Sequence, residues 1–445
     1  MTTSKIAAAT LCLFALAVTI AVCGASEPPG VSGMSSLSSK QSRNLRIPSR
    51  DLPQAGWVTK SSVESGQRHS QALMVTAAKR SSNTREKRNS GSAKVWRSEE
   101  LSLLGIGLGV GDVDGDGNND IVIIAPSTVY LYRVAGGDLS LVTEYSAGTL
   151  ELKSVDVARL RKQGPPRIYI SAQNRGSVSS FVLEYRNGKL VPVIDEVPYF
   201  LRVIIYPTRG PFLLGQKKGT RKMYDGPIVR LEDKGDALQP MGRFGVPLKI
   251  PVFGFAIGDF DGDRKPLIAV YDKSDHLRVY QPDGKRLYVS QDYYGSSDVR
   301  LRWGGVDRQL TGRGVTDLEE TVFFRPRIMS LDLRGGGKYE ILAITHVSKT
   351  RRLLSRTRML EEGRVVGLEW NGDALEERWT TPKIAGMLTD FAVDSLPGIA
   401  GLRLITLERK KTDWLSLISS RSQIRAYDMK ALLNDEIRGR HRDED

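Results

Sequence analysis

The chain has 445 residues, of which 40% are hydrophobic and 7% aromatic, and it contains 44 glycines. This length suffices for one large core or two ordinary ones, and abundant glycine with few aromatics favours short strands and turns over long helices. The formal net charge is +14. The basic residues match no nucleic-acid-binding motif, so we expect no nucleic-acid partner, and an anionic surface such as lipid or polysaccharide is the partner that the charge favours. The 2 cysteines exclude zinc and iron–sulfur sites built on cysteine.

Residues 1–26 have the pattern of an export signal. Lys5 precedes an unbroken apolar stretch at 6–22, which ends in small residues. A basic start, an apolar centre and a small-residue exit predict a secretory signal peptide. Two alternatives stay open: an uncleaved membrane anchor, and a lipoprotein modified at Cys23, although Val22 is bulkier than the residue usual before a lipidated cysteine. We therefore expect an exported protein that is periplasmic, on the outer surface or secreted.

Three regions follow the export signal. Residues 27–94 are rich in Ser, Gly, Pro, Lys and Arg without a sustained hydrophobic period. Low hydrophobicity with high charge cannot offset chain entropy, which predicts a mostly disordered linker. Over residues 95–430, short apolar runs are separated by Gly, Asp, Asn and Pro, and each run is long enough for a strand but too short for a helix. Residues 431–445 are predicted to form a charged C-terminal tail.

One pattern of an acidic loop and a following strand recurs in the region 95–430. Its clear copies are at 112–120, 259–267 and 332–340, and its fainter copies are at 394–402, after Asp156 and at 203–214. Downstream of several copies, two alternating strands flank an Asn-Gly or Asp-Gly hairpin turn, as at 187–188, 283–284 and 371–372.

Repeating units of roughly 40–60 residues built from four short strands are propeller blades. The sequence therefore predicts an all-β fold, a β-propeller of six four-stranded blades. A seventh blade within Ser290–Pro326 stays open as the alternative to a long inserted loop.

The first loop has the composition of a calcium site. Calcium takes about six to eight oxygen ligands, and carboxylates two residues apart in a tight loop can face one point. The predicted ligands alternate along the loop: Asp112, Asp114, Asp116, Asn118 through its backbone carbonyl, and Asp120. Gly115 and Gly117 allow the tight turn that this needs. An EF-hand is excluded because the position of its bidentate glutamate is Ile123, inside an apolar run predicted as a strand.

This loop and its apolar frame resemble the FG-GAP/VCBS repeat family, whose blades carry Asp-x-Asp-Gly-Asp-Gly-x-x-Asp loops; integrin α-chain propellers use related loops. The glycine-rich lead-ins at 105–111 and 253–258 also look like that family, and the resemblance covers about 95–430. It implies a propeller of the bacterial exported type, calcium in the intact loops, and a binding or adhesion role outside the cytoplasm.

The second and third loops depart from this pattern. In the second loop, Arg264 replaces a glycine and Leu267 replaces the ninth-position acid. A second calcium ion there stays open against an ion-free turn, and its predicted ligands are Asp259, Asp261, Asp263 and the backbone carbonyl of Lys265. In the third loop Arg334 occupies a ligand position, and we expect its guanidinium to take the place of a metal's charge.

The region 95–430 shows no catalytic constellation. The 4 histidines have no metal-ligand spacing, and neither a Gly-x-Ser-x-Gly elbow nor a phosphate-binding glycine loop is present. One aromatic stretch is a candidate partner-binding surface through Tyr293, Tyr294 and Trp303, because aromatic rings can stack on sugars or anchor a protein. The alternative is that these rings only cover a blade edge.

Three functions follow from these patterns. The first is a calcium-stabilised, non-catalytic binding or scaffold propeller at the cell envelope or secreted, with a protein or glycan partner. The second is an exported propeller lyase or hydrolase with a site on the central axis. The third is a structural subunit of an envelope assembly. A large polar pocket on the central axis, with converging acids or His276, would favour the enzyme, and a flat, ligand-free top face would favour the scaffold.

Overall fold

The computed structural model describes residues 95–219, 222–224, 226–246, 249–303, 320–347, 360, 362–410 and 421–440. The predicted signal peptide and linker lie outside these residues, as do positions 441–445 of the predicted tail. The described part contains 27 strands and one helix, and that helix is neither long nor apolar enough to span a bilayer. The predicted all-β fold of short strands is confirmed at this level.

The strands form antiparallel four-stranded units, numbered here in chain order. A short strand, β1 (Trp96–Arg97), precedes unit 1, whose strands are β2 (Gly107–Gly111), β3 (Asp120–Ile124), β4 (Thr128–Ala135) and β5 (Asp138–Ser146). Unit 2 contains β6 (Glu151–Ala158), β7 (Arg167–Asn174), the short β8 (Ser177–Val178) beside β7, β9 (Ser180–Arg186) and β10 (Lys189–Val197). Unit 3 contains β11 (Phe200–Tyr206), β12 (Gly210–Gln216), β13 (Ile228–Asp233) and β14 (Leu238–Arg243).

The second half of the chain repeats this organisation. Unit 4 contains β15 (Phe255–Gly258), β16 (Leu267–Tyr271), β17 (His276–Tyr280) and β18 (Arg286–Tyr293), and a separate hairpin follows it, β19 (Arg300–Trp303) and β20 (Glu320–Phe323). Unit 5 contains β21 (Met329–Leu331), β22 (Glu340–Val347), β23 (Glu362–Trp370) and β24 (Leu375–Thr380). Unit 6 contains β25 (Ile384–Leu396), β26 (Ile399–Lys410), β27 (Ser422–Asp428) and β1.

The first strands of the units lie side by side. Strand β2 contacts β6, β6 contacts β11, β11 contacts β15, β15 contacts β21, and β25 contacts β2. Units 5 and 6 are joined through the pairing of β23 with β25 at Gly363 and Ile384. The first strand of the described chain, β1, pairs with β27 through Trp96 and Ala426 and so completes the last unit. These contacts make a β-propeller-like all-β fold in which the first and last described strands pair in one sheet.

Hydrophobic side chains fill each junction between neighbouring units. In the described residues, separate buried clusters join units 1 and 2, 2 and 3, 3 and 4, 4 and 5, 5 and 6, and 6 and 1. The second strands β3 and β16 are buried along their whole length. They are continuous apolar runs because both of their faces pack against a neighbouring unit.

The predicted repeats map onto one position of the fold. Each copy lies at or beside the connection between the first and second strands of a unit, and all six units are represented. All three faint copies begin inside a strand, since Asp156 belongs to β6, Val203 to β11 and Asp394 to β25. The repeat pattern therefore marks the place in each unit where the first strand ends and the second strand begins.

The stretch Ser290–Pro326, in which a seventh blade stayed open, contains the hairpin β19–β20 among its described residues. Lys153 Nζ donates a hydrogen bond to the carbonyl of Arg300 (2.9 Å), and Gln173 Nε2 donates to that of Arg302 (2.9 Å). Both donors belong to unit 2, although the hairpin follows unit 4 and precedes unit 5 in the chain, and Leu301 of β19 packs in the buried cluster between units 3 and 4. After β27, helix α1 (Met429–Arg440) crosses into the predicted tail.

Candidate functional site

The first acidic loop connects β2 to β3 and is closed by the pairing of Gly111 with Asp120. Asp112, Asp114 and Asp116 each place a carboxylate oxygen within 4.8 Å of the other two. In the described part of the chain, this is the one group of three metal-ligating side chains that converge in this way. The arrangement offers hard oxygen ligands, which are the ligands that calcium and magnesium prefer.

Backbone hydrogen bonds shape this loop around its carboxylates. The Gly117 N–H donates to Asp112 Oδ2 (3.0 Å) and the Asp116 N–H donates to Asp114 Oδ1 (3.1 Å). Gly115 and Gly117 have φ values of 82° and 88°, in the left-handed region that glycine adopts most readily. The glycines thus let the chain wrap the alternating aspartates toward one point, as the sequence predicted.

One oxygen in this loop lacks a partner. Asp112 Oδ1 is buried, and no described residue donates a hydrogen bond to it. An unsatisfied buried polar group costs about 1–3 kcal/mol, and more when it is charged. The neighbouring Asp114 and Asp116 carboxylates increase this cost by like-charge repulsion. A cation bound between the three side chains would remove both costs.

Asp120, the predicted ninth-position ligand, has a different environment. It is buried, and its two oxygens accept hydrogen bonds from the Val113 N–H (3.2 Å) and from Arg133 Nε (3.1 Å). Burial raises the pKa of Asp120 despite the ion pair with Arg133. Arg133 also pairs with Asp114, so it offsets part of the loop's negative charge and links Asp120 to the cluster. No sequence pattern marked Arg133, because it enters the site from β4.

All three clear loops share one hydrogen bond. The first-position aspartate accepts the N–H of the sixth residue: Gly117 to Asp112 at 3.0 Å, Arg264 to Asp259 at 2.7 Å, and Gly337 to Asp332 at 2.8 Å. The loops differ at the other oxygen of that aspartate. In the second and third loops it accepts a further backbone N–H, from Gly262 (2.7 Å) and Gly336 (3.1 Å). Of the three loops, only the first leaves this oxygen, Asp112 Oδ1, unpaired.

The second loop keeps its predicted carboxylates but not their convergence. The Lys265 N–H donates to Asp263 Oδ1 (2.8 Å), and its ammonium lies 3.2 Å from Oδ2. Burial and the charge of Asp263 raise the pKa of Asp261. Asp259 has both oxygens bonded to backbone N–H groups. Backbone N–H groups of the loop itself thus satisfy both oxygens of Asp259 and one oxygen of Asp263, and the Lys265 ammonium adds a positive charge.

Arg264 has φ = 68° at the position that Gly117 occupies in the first loop. A left-handed conformation costs a non-glycine residue roughly 1–2 kcal/mol. Glycine avoids this cost, but it raises the conformational entropy of the unfolded chain, which offsets about 0.4–1 kcal/mol of the gain. We expect Arg264→Gly to stabilise the fold by about 0.5–1 kcal/mol, measured as a higher urea midpoint. The adjacent Lys265→Gly is the control and is expected to lower the midpoint. An Arg264→Gly midpoint at or below that of the wild type would contradict this interpretation.

In the third loop an arginine lies where the first loop has a ligand. Arg334 Nε donates to Glu340 Oε1 (2.9 Å), and Trp379 Nε1 donates to Glu340 Oε2 (2.8 Å). The ninth-position acid is therefore paired with a guanidinium in both the first and the third loops, through Arg133 and Arg334. The third loop forms this pair within itself.

The fold places the residues of the predicted aromatic surface in different environments. Tyr294 is 7% exposed and packs in the core between units 4 and 5. The half-buried Tyr293 ring lies 4.6 Å from the His276 ring, centroid to centroid. Trp303 ends β19, and its side chain is outside the described part. Of the two tyrosines, only Tyr293 therefore has a ring that a partner can reach.

The central axis carries a buried ion network that no sequence pattern indicated. Arg327 donates from Nη1 to Asp156 Oδ1 (2.7 Å) and from Nε to Asp390 Oδ1 (2.8 Å). Its Nη2 donates to the carbonyls of Leu108 and Val155, each at 2.9 Å. Burial alone would lower the pKa of Arg327, but the two carboxylates raise it. One guanidinium thus contacts the first strands of units 1, 2 and 6.

A second arginine completes this network. Arg202 Nη1 donates to Asp156 Oδ1 (2.8 Å), and the Val203 N–H donates to Asp156 Oδ2 (2.8 Å), which adds unit 3. The two arginines and two aspartates balance in charge. The cavity beside them, lined by Arg202, Arg327 and Asp390 among others, measures about 10 Å³, which is room for about one water molecule.

Comparison with known proteins gives distant structural likenesses. No protein-family model matches the chain, and no curated protein matches it. It is similar to a structure described as BBS1N in complex with ARL6DN, with a TM-score of 0.40, 13% identity, and coverage of 76% of this chain and 98% of that one. It is also similar to the exotype rhamnogalacturonan lyase YesX, with a TM-score of 0.35, 13% identity, and coverage of 75% and 76%. Likenesses at these TM-scores carry no argument about function.

Proposed function

We propose that this chain is an exported, non-catalytic β-propeller of six blades that binds one calcium ion and serves as a binding or scaffold module for a protein or glycan partner. The observation that carries the proposal is the unpaired, buried Asp112 Oδ1 in a loop where the carboxylates of Asp112, Asp114 and Asp116 converge. Calcium supplies the charge and the coordination that these oxygens lack. In this proposal the six blades are units 1 to 6, and their acidic loops are diverged FG-GAP/VCBS repeats.

Calcium would act as a structural clamp at the closure of the ring. Asn119, inside the first loop, donates through Nδ2 to Asp394 Oδ1 (2.8 Å) and to the Ser395 carbonyl (2.9 Å) of unit 6. An ion that orders the first loop therefore also orders the contact between the first and last units. Stabilisation of the closed ring is a role for calcium that needs no reaction.

The central axis supports the scaffold function over the enzyme alternative. Arg327 and Arg202 fill it together with their carboxylate partners, and the space beside them is about 10 Å³. A larger open cleft of about 470 Å³ lies in unit 2, and Glu196 is the one carboxylate residue among those that line it. Hydrolysis or elimination at a sugar commonly uses a pair of acid and base groups. We therefore place the function in binding.

Thermal unfolding of the full chain with calcium or with a chelator tests the proposal. A ligand at one hundred times its dissociation constant adds about 2.7 kcal/mol of stability, so the melting temperature of the wild type is expected to rise with calcium. Asp114→Ala is expected to abolish the rise because it removes one of the converging carboxylates. The matched control, Asp261→Ala at the same position of the second loop, should keep it. A wild-type melting temperature that is insensitive to calcium would remove the ion from the proposal.

A further inference from the structure

Three aromatic rings form a cluster at the junction of units 3 and 4. Tyr206 and Phe212 are stacked with their centroids 5.6 Å apart, and Phe244 meets them edge-on at 6.3 and 6.5 Å. All three side chains are half-buried and pack on the hydrophobic cluster between these two units. They form a rigid platform at the surface, because their inner sides are held by the core.

Two exposed arginines lie over this platform. The Arg230 guanidinium carbon is 4.3 Å from the centroid of Phe212, and that of Arg209 is 5.5 Å from the centroid of Tyr206. Among the described residues neither arginine has a carboxylate within ion-pair distance. By contrast, Arg133 and Arg327 are ion-paired. A guanidinium that stacks through its face keeps the N–H donors in its plane available to an anion.

We propose that Arg209 and Arg230, held over Tyr206, Phe212 and Phe244, form a docking site for an acidic peptide segment. Guanidinium groups bind carboxylates through paired N–H donors, and the aromatic faces below them reduce the freedom lost on binding. Since Phe212 is covered by both Tyr206 and Arg230, it is poorly placed to stack on a sugar ring, which favours a peptide over a glycan. The turn that carries Arg209 joins β11 to β12, where unit 1 has its acidic loop.

The outer strand of unit 3 fits an extended peptide. Strand β14 is the edge of its sheet, and its residues are exposed apart from the half-buried Leu238. Met241 on this strand is 54% exposed. An extended segment can pair with such an edge and direct its acidic side chains to the guanidinium groups on the same sheet. This inference rests on the proposed binding function and specifies an acidic peptide as the partner. Binding at this site requires the folded chain but does not require the calcium ion.

Fluorescence anisotropy of a labelled octa-glutamate peptide with the full chain tests this site. The double variant Arg209→Gln with Arg230→Gln is expected to weaken binding at least tenfold. Arg175→Gln is the matched control and is expected to change the affinity less than twofold. Arg175 is also an exposed arginine, but it lies in the turn between β7 and β8 of unit 2, outside the proposed site. Equal melting temperatures would show that the variants remain folded.

Three results would overturn the site: no octa-glutamate binding by the wild type, undiminished binding by the double variant, or an equal loss with Arg175→Gln. The same titration with a sulfated oligosaccharide and with phosphatidylglycerol vesicles distinguishes the partner classes. Binding of either one in preference to the peptide, lost in the double variant, would overturn the assignment to a peptide. Each titration is run with calcium and with chelator. Loss of peptide binding reports on the docking site, whereas a melting temperature that does not respond to calcium reports on the calcium proposal.

Discussion

Arg327→Met is expected to destabilise the fold by about 3–5 kcal/mol, because it removes the cation from a buried network and leaves carboxylates behind. The Asp156 and Asp390 side chains are 5% and 9% exposed, and Arg327 bonds to both. Methionine fills part of the arginine's volume but supplies no donor. Asp156 retains Arg202, whereas Asp390 retains only the backbone N–H groups of Leu108 and Phe391 among the described residues. Urea unfolding followed by circular dichroism measures the loss.

The control for this variant is an arginine whose ion pair is exposed. Arg302 lies 3.5 Å from Glu151, and its side chain is 54% exposed. Exposed pairs contribute about 0–1 kcal/mol, so Arg302→Met is expected to have a small effect. If Arg327→Met and Arg302→Met unfold at the same urea concentration, the axial network does not hold the first strands together.

Gly367→Ala is expected to destabilise unit 5 through a steric overlap with Trp379. The two residues pair across β23 and β24, and a Cβ at position 367 would overlap the indole ring. Overpacking in a core costs about 1–3 kcal/mol. The indole also donates to the buried Glu340 carboxylate (2.8 Å), and losing a hydrogen bond to a charged group adds about 1.5–3 kcal/mol.

A second glycine gives the matched control for this substitution. Gly336 lies in the third loop and does not need a left-handed conformation, and a Cβ added to it would meet no described residue within 4 Å beyond its chain neighbours. Gly336→Ala is therefore expected to change the free energy of unfolding by less than about 0.5 kcal/mol. Equal urea midpoints for Gly367→Ala and Gly336→Ala would show that the indole moves aside without cost.

Local sequence patterns were sufficient for the strands and the loop turns. The apolar runs after Asp120 and before Tyr271 are buried strands, as their composition indicated. The alternating aspartates of the first loop converge, because Gly115 and Gly117 provide the backbone angles that the spacing requires. Both features depend on residues that are close together in the chain, and such features can be inferred from sequence.

Contacts across the ring could not be inferred from the sequence. Arg327 bonds to residues 219, 171 and 63 positions away, namely Leu108, Asp156 and Asp390. No periodicity links these positions, and the sequence marks Asp156 only as the start of a faint repeat. Arg133 was missed for a similar reason, since it reaches the first loop from another strand. The burial of Tyr294 depends on the packing of unit 5 against unit 4, which local pattern does not reveal.

The most direct test of the account is the number of calcium ions bound per chain, measured by equilibrium dialysis of the full chain. We predict one ion at about 10⁻³ M free calcium, in the range of extracellular calcium modules. Asp112→Asn should reduce this to none, because it removes the charge but can keep the hydrogen bond from Gly117, and Asp259→Asn should leave it at one. No bound calcium in the wild type, or an ion retained by Asp112→Asn, would contradict the account.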